Sequence, residues 1–156
     1  MLDGCRSLGV LSVVAASLVL GGGEARAEGL KLECMSRPGL RLEVQRLERS
    51  TGDTVTLRAE LVNDSGKVIR LDCVELGLCN SWQNVWLVDM ENKTEYGVLY
   101  SNRNGHQFLS SPVPYDIKPG QRLALWARFP SPPASVERVS ILMENFEPLD
   151  DVAIQR

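Results

Sequence analysis

Residues 55–61 spell Val-Thr-Leu-Arg-Ala-Glu-Leu, and this stretch decides the fold. Its apolar residues recur at every second position, which is the period of a β-strand with one buried and one solvated face. No segment sustains the 3.6-residue period of an amphipathic helix. We therefore predict strands throughout. The same alternation, with a phase slip before Leu47 in the first run, occurs in residues 40–47, 69–73, 123–129 and 139–143.

Turn-forming residues separate the predicted strands at intervals of roughly ten residues, as in antiparallel sheet proteins. A continuous apolar strand over residues 85–88 turns back into residues 95–100, and residues 151–154 add an edge strand. The fold prediction is an all-β, antiparallel immunoglobulin-like β-sandwich of about 7–8 strands. The predicted connections are residues 63–66 (NDSG), 91–94 (ENKT), 117–120 (IKPG), 130–133 (PSPP) and one long loop, 101–116.

The first 27 residues have the character of a secretory signal peptide. A weakly basic start precedes an uncharged apolar run at residues 8–20, and Ala25-Arg26-Ala27 supplies a small-x-small cleavage pattern. The run is too short to cross a bilayer as a helix, because roughly 20 residues are needed. We predict cleavage after Ala27 and a periplasmic or secreted domain over residues 28–156, with no membrane span after cleavage. An uncleaved membrane anchor or a chance apolar stretch is the alternative.

Three cysteines, Cys34, Cys73 and Cys79, remain in the predicted mature chain. An exported protein is expected to form a disulfide, but three thiols cannot all pair within one chain. We predict the bridge Cys73–Cys79, with a bridge from Cys34 as the alternative. The remaining thiol is then buried, or it makes an intermolecular contact through Cys34.

Composition argues against several classes of function. The net charge is -3 and no basic cluster is present, so the chain lacks the phosphate-neutralising face of a nucleic-acid-binding protein. The single histidine, His106, has no nucleophile motif beside it, and no metal-ligand spacing occurs. We predict neither catalytic residues nor a metal nor a cofactor, and hence a protein that is not an enzyme.

One segment resembles a pattern in bacterial exported immunoglobulin-like domains of unknown function. In residues 117–139 a Pro119-Gly120 turn, an apolar strand and the motif Phe-Pro-Ser-Pro-Pro (129–133) precede a Val-rich strand, and residues 88–96 are similar to the hairpin of those domains. Such domains occur in uncharacterised lipoproteins and ahead of OmpA-like peptidoglycan-binding domains. The resemblance extends at pattern level over residues 40–154 and implies a fold and an envelope location. This chain has no lipidation cysteine after its apolar run and no OmpA-like segment, so attachment to lipid or cell wall is not implied.

Two polar, aromatic segments are the candidate recognition surface. Trp and Tyr provide rigid contact area, Arg is favoured at binding hot spots, and Asn, Gln and Ser adapt their hydrogen bonds to a partner. The alternative is that the aromatic rings close the ends of the sandwich. If the surface binds, Trp82→Ala or Arg103→Ala should weaken capture of a partner with little change in thermal stability. The predicted binding residues are Trp82, Gln83, Asn84, Tyr100, Asn102, Arg103, Asn104, His106 and Phe108.

The sequence therefore leads to three hypotheses. The first is a non-enzymatic binding or accessory module that recognises an envelope protein, a peptide or a glycan. A narrower alternative is a periplasmic inhibitor or immunity protein that blocks a partner enzyme. The third is an enzyme with an unrecognised site, which would need a concave site with convergent titratable groups. A structural domain with no discrete ligand is the remaining alternative.

Overall fold

The computed structural model describes residues 29–72, 81–101 and 107–156. This described part contains no helix, and so none that is long and apolar enough to cross a membrane. Its strands are β1 (Lys31–Glu33), β2 (Leu40–Ser50), β3 (Thr54–Asn63), β4 (Ile69–Arg70), β5 (Val85–Asp89), β6 (Thr94–Gly97), β7 (Tyr100–Ser101), β8 (Gln107–Phe108), β9 (Asp116–Ile117), β10 (Arg122–Pro130), β11 (Arg138–Met143) and β12 (Leu149–Ala153).

The long strands form two antiparallel four-stranded sheets, which confirms the all-β prediction. The first sheet has the order β1-β2-β3-β10, and the second has the order β12-β11-β5-β6. Two short antiparallel pairs, β4-β9 and β7-β8, lie outside both sheets.

Both sheets bury their alternating apolar residues in one core. Leu57 of β3 and Phe129 of β10 belong to the same buried cluster as Leu87 of β5 and Ile141 of β11. In β2 the pairing with β3 shifts between Val44 and Arg46. The buried side chains are at even-numbered positions up to Val44, and the next buried side chain is at the odd-numbered position Leu47. This bulge is the phase slip that the sequence contains, because one extra residue moves every later side chain to the other face.

The predicted turns are present where the sequence places them. Asn63 is fully buried at the end of β3, and its Oδ1 accepts a hydrogen bond from the Ser65 amide at 3.0 Å. Its Nδ2 donates to the carbonyls of Lys67 and Ile117 at 2.7 and 2.9 Å. A buried amide with all these bonds ties the turn after β3 to β9. Gly66 completes the turn with φ 74°, which a side chain would disfavour.

The prediction of one long loop over residues 101–116 is wrong in part. The described portion contains β8, a bridge between Ser110 and Ala127 of β10, and a second bridge between Pro112 and Ser81. The amide of Ser111 donates to the Trp126 carbonyl at 2.8 Å, and the amide of Arg128 donates to the Leu109 carbonyl at 2.9 Å. The edge of β10 would otherwise leave these backbone groups without partners in the sheet.

The two sheets share the same two ends. At one of them, the Gly39 end, the turns after β1, β3 and β11 meet, and the backbones of Cys34 and Phe146 form an antiparallel β-bridge. At the opposite end, the Asp53 end, the turns after β2, β5 and β10 meet, and the amide of Ser131 donates to the Asp53 carbonyl at 2.9 Å.

Two contacts tie the sheets together at the Asp53 end. Gln155, after β12, pairs in parallel with β2, since its amide donates to the Leu47 carbonyl and its carbonyl accepts from the Arg49 amide. The Arg49 guanidinium donates to Ser131 Oγ and to the carbonyls of Pro132, Pro133 and Val136 at 2.7–3.0 Å. A single arginine therefore holds the proline-rich connection that follows β10.

Several predictions fall outside the described residues. They are the signal peptide over residues 1–27 and its cleavage site, and the predicted bridge between Cys73 and Cys79. Cys34 is buried and forms no disulfide, and its Sγ lies 3.6 Å from Ser36 Oγ. An intermolecular bridge through this thiol would require local opening of the chain around it.

Candidate functional site

Trp82 is the largest fully buried side chain of the described residues. Its amide donates to the Ser111 carbonyl at 3.2 Å, and its ring belongs to the hydrophobic core. The indole Nε1 is buried with no hydrogen-bond partner among the described residues. The ring therefore offers no surface to a partner, and the expectation that Trp82→Ala leaves stability unchanged is wrong, because the substitution would empty part of the core.

Gln83 and Asn84 follow Trp82 and are half-buried. Asn84 Nδ2 donates to Glu144 Oε2 at 2.8 Å, and the Asn84 carbonyl lies 3.4 Å from the Glu144 amide that donates to it. The polar side chain of Asn84 thus joins the start of β5 to the end of β11 at the Gly39 end.

Tyr100 and Phe108 are paired across the β7-β8 hairpin. They are opposite residues in the register, and their ring centroids lie 5.1 Å apart with an angle of 58° between the planes. Tyr100 is 44% exposed, whereas Phe108 is half-buried against the core. A tilted pair of this kind fixes both rings and leaves one of them open to solvent. The other predicted hairpin residues, Asn102, Arg103, Asn104 and His106, lie outside the described residues.

The chain brings the two predicted segments to the same short stretch, residues 109–112. The hairpin is attached to it through the Leu109 amide, which donates to the Leu99 carbonyl at 2.7 Å. The first segment is attached through the bridge between Ser81 and Pro112. The two segments are therefore neighbours along one edge of the first sheet, although only the hairpin presents an exposed aromatic ring.

Sequence reasoning missed Tyr115, which is the most exposed aromatic residue of the described chain, at 72%. Its carbonyl accepts a hydrogen bond from the Leu71 amide at 2.7 Å. The signal was available, because Tyr115 stands between Pro114 and Asp116 in a segment without alternating polarity.

A groove of about 730 Å³ lies at the Asp53 end and was not predicted. Its lining is mixed, with apolar side chains on its floor and mostly carboxylates around them. Asp89 is almost fully buried there, and hydrogen bonds from the Asn92 side chain and then from the Asn92 and Glu91 amides lower the pKa of its carboxyl. This aspartate is therefore a turn-capping residue held ionised by its own turn. The groove residues used below are Val88, Met90, Glu91, Val136, Glu137, Arg138, Asp150 and Asp151.

The solvent face of the first sheet is covered by ion pairs. Arg122 contacts both Glu60, at 2.6 Å, and Glu43, which also receives Arg41 at 2.9 Å. Partial burial opposes ionisation of Glu43, but hydrogen bonds from Arg122 and Arg41 outweigh it and lower its pKa below the usual value. A hydrogen bond from Arg122 to Glu60, and then one to Glu43, raises the pKa of Arg122. These four side chains therefore form one network of ion pairs across β2, β3 and β10.

No group of three His, Cys, Asp or Glu side chains within the described ranges is placed to hold a metal ion. In the groove, Ser140 donates to Asp150 Oδ1 at 2.7 Å and Arg138 pairs with Asp151.

Comparisons with protein families, with curated proteins and with solved structures find no match to this chain. The residues and their geometry are therefore the basis for assigning a function.

Proposed function

We propose that the chain is an exported, non-enzymatic binding module with an immunoglobulin-like β-sandwich fold, and that it recognises a protein of the cell envelope through the β7-β8 hairpin. The observation that carries this proposal is the Tyr100–Phe108 pair, in which an exposed ring packs against a second ring on a hairpin that belongs to neither four-stranded sheet. The leader-like residues 1–27 support export.

The order of the strands supports the immunoglobulin-like fold. If β2, β3, β5, β6, β10, β11 and β12 are lettered A, B, C, C′, E, F and G, the first sheet contains A-B-E and the second is G-F-C-C′. Immunoglobulin-like sandwiches distribute their strands between two sheets in this way. Residues 109–112 run beside β10, which is the position of strand D.

The distribution of aromatic residues supports the hairpin as the recognition surface. Trp82, Phe129 and Phe146 are buried in the core, where burial stabilises the fold. Tyr100 instead stays open to solvent, although burying its ring would be favourable. Aromatic rings that are rigid before binding lose little conformational entropy in an interface, so they are effective anchors.

The alternative of an inhibitor or immunity protein is favoured by the same hairpin. A two-stranded hairpin outside the sheets can enter the active-site cleft of a partner enzyme without any change in the fold. The two alternatives share one surface, and they differ in whether the captured partner is an enzyme that loses activity.

Photo-crosslinking tests the proposed surface. Tyr100 is replaced by a photoreactive phenylalanine analogue in cells that produce the protein, and crosslinked partners are identified by mass spectrometry. The same analogue at Lys31, an exposed residue on β1, is the control. A partner captured from position 100 and not from position 31 is the expected result. Equal labelling from both positions contradicts a recognition surface on the hairpin.

Binding measurements then give the contribution of the ring. With the captured partner purified, Tyr100→Ser should weaken binding roughly thirtyfold, because a hot-spot aromatic side chain contributes about 2 kcal/mol. Tyr115→Ser is the matched control, since it removes the same side chain from an exposed position outside the pair. Similar affinities for the two variants would overturn the proposal. Loss of the partner's catalytic activity on binding would favour the inhibitor alternative.

A further inference from the structure

The opposite ends of the molecule carry clefts of opposite charge. The groove at the Asp53 end is lined by Glu91, Glu137, Asp150 and Asp151, and its one cation, Arg138, is paired with Asp151. Glu91 is exposed on the turn after β5, and Glu137, which is exposed just before β11, has Arg156 as a distant partner at 3.8 Å. The groove therefore presents a net negative charge to solvent.

Apolar surface accompanies this charge. Val88 and Val136 line the groove, and Met90 at its rim is 69% exposed. Exposed Met is unusual on a monomer surface and common in interfaces, where its flexible thioether adapts to the partner. The groove thus combines an acidic rim with an adaptable apolar contact.

A second cleft, of about 360 Å³, lies at the Gly39 end between the turns after β1 and β3. It is lined by Arg37, Lys67 and Arg70 and by no acidic residue. Within the described residues no ion pair involves Lys67 or Arg70, in contrast to the arginines on the solvent face of the first sheet. Val68 lines the same cleft and is 57% exposed. Met35 precedes Ser36, another lining residue, in the chain and is 63% exposed.

We propose that copies of this chain associate head to tail, with the basic cleft of one copy seated on the acidic groove of the next. The two clefts match in both properties, since each couples an exposed apolar side chain, Met90 in the groove and Val68 in the basic cleft, to charge of one sign. Because they lie at opposite ends of the sheets, one copy can use both at once. Such a contact joins two different surfaces and can be repeated, so it builds a linear assembly rather than a closed dimer. It involves neither Tyr100 nor Phe108 and does not depend on the proposed function.

Sedimentation velocity of the purified protein tests the assembly. At low ionic strength the weight-average mass should rise with protein concentration beyond that of a dimer. At high ionic strength the association constant should fall at least about tenfold, because salt screens the attraction between the exposed charges of the two clefts. Monomer at every concentration in low salt would overturn the proposal, and so would association that salt leaves unchanged.

Charge-reversal variants locate the contact. Glu91→Lys with Glu137→Lys removes the acidic rim, and Lys67→Glu with Arg70→Glu removes the basic cleft. Each double variant alone should remain monomeric. Lys31→Glu with Arg128→Glu is the control, because it changes the net charge as much as the basic-cleft variant but alters exposed residues outside both clefts. The control should assemble as the unmodified protein does, and failure to do so would contradict a specific contact.

Mixing the two double variants provides the sharpest outcome. The intact basic cleft of the groove variant can then meet the intact groove of the basic-cleft variant. The two altered clefts also carry opposite charges again, so the mixture should regain the association that each variant alone has lost. Thermal denaturation confirms that both variants are folded. A mixture that stays monomeric would show that these two clefts do not form the contact.

Discussion

The segment around Trp82 and the hairpin from Tyr100 to Phe108 have similar compositions, but the structure uses them differently. Both are short, polar and aromatic, and both are attached to residues 109–112. Trp82 lies wholly inside the core, whereas Tyr100 stays exposed beside a half-buried partner ring. An aromatic residue in a polar segment is therefore an anchor for the fold or for a partner according to its neighbours in space, and composition alone does not distinguish the two.

The largest expected effect follows from removing the buried ring. Trp82→Ala should lower the free energy of unfolding by roughly 3–5 kcal/mol, the usual cost of truncating a buried Trp or Phe. Tyr100→Ser should lower it by only about 0.5–1.5 kcal/mol, the usual contribution of an aromatic pair, because the ring is otherwise largely exposed. Urea denaturation of both variants measures the contrast. Equal stability losses would remove the distinction between the two segments.

A smaller effect is expected at a third connecting segment, the proline-rich residues 130–136. Its position depends on the Arg49 guanidinium, which donates to Ser131 Oγ and three carbonyls. Arg49→Ala should cost about 2–3 kcal/mol, because hydrogen bonds from a charged group are lost and carbonyls are left without partners. Arg46→Ala, which removes a surface pair with Glu48 on the same strand, is the control and should cost less than about 1 kcal/mol. A loss no larger for Arg49→Ala than for the control would show that the segment holds its position unaided.

The smallest effect should come from the ion pairs on the first sheet, away from both aromatic segments. The pKa of Glu43 is lowered in the folded protein, so its ionised form stabilises the fold above the pKa of the unfolded chain. That stabilisation, at most about 1 kcal/mol for a surface network, is lost as the pH falls from the unfolded pKa through the lowered one. Glu43→Gln should flatten the dependence of unfolding free energy on pH below pH ~5. Glu33→Gln, on the neighbouring strand, is the control, and an equal flattening in both variants would exclude a special role for Glu43.

Regular alternation explains how much of this fold could be predicted. Residues 55–61 specify β3 and its buried face, and the slip before Leu47 marks the bulge in β2, because both are local properties of the chain. The pairing of Ser110 with Ala127 could not be predicted, since it depends on which strand lies at the edge of the finished sheet. The contact of Arg122 with Glu43 likewise requires the register of three strands.

The candidate site was less predictable than the fold. The hairpin aromatics were found from composition, but the burial of Trp82 was not, because residues 81–84 carry no alternation that assigns a face. The acidic groove was missed because residues 88–92 of its lining lie more than 40 residues before the rest, residues 135–140 and 150–151, and the stretches meet only when the sheets form. Sites assembled from several turns have no local signature in the sequence.

The parallel pairing of Gln155 with β2 has a mechanical consequence. The tail after β12 runs in the same direction as β2, and the two hydrogen bonds to Leu47 and Arg49 lie side by side across the strand direction. Tension applied between the start of β2 and the last residue would load these bonds in shear, so they would have to break together rather than one after another. The pairing of the tail should therefore resist stretching along this direction more than bonds that open one after another would.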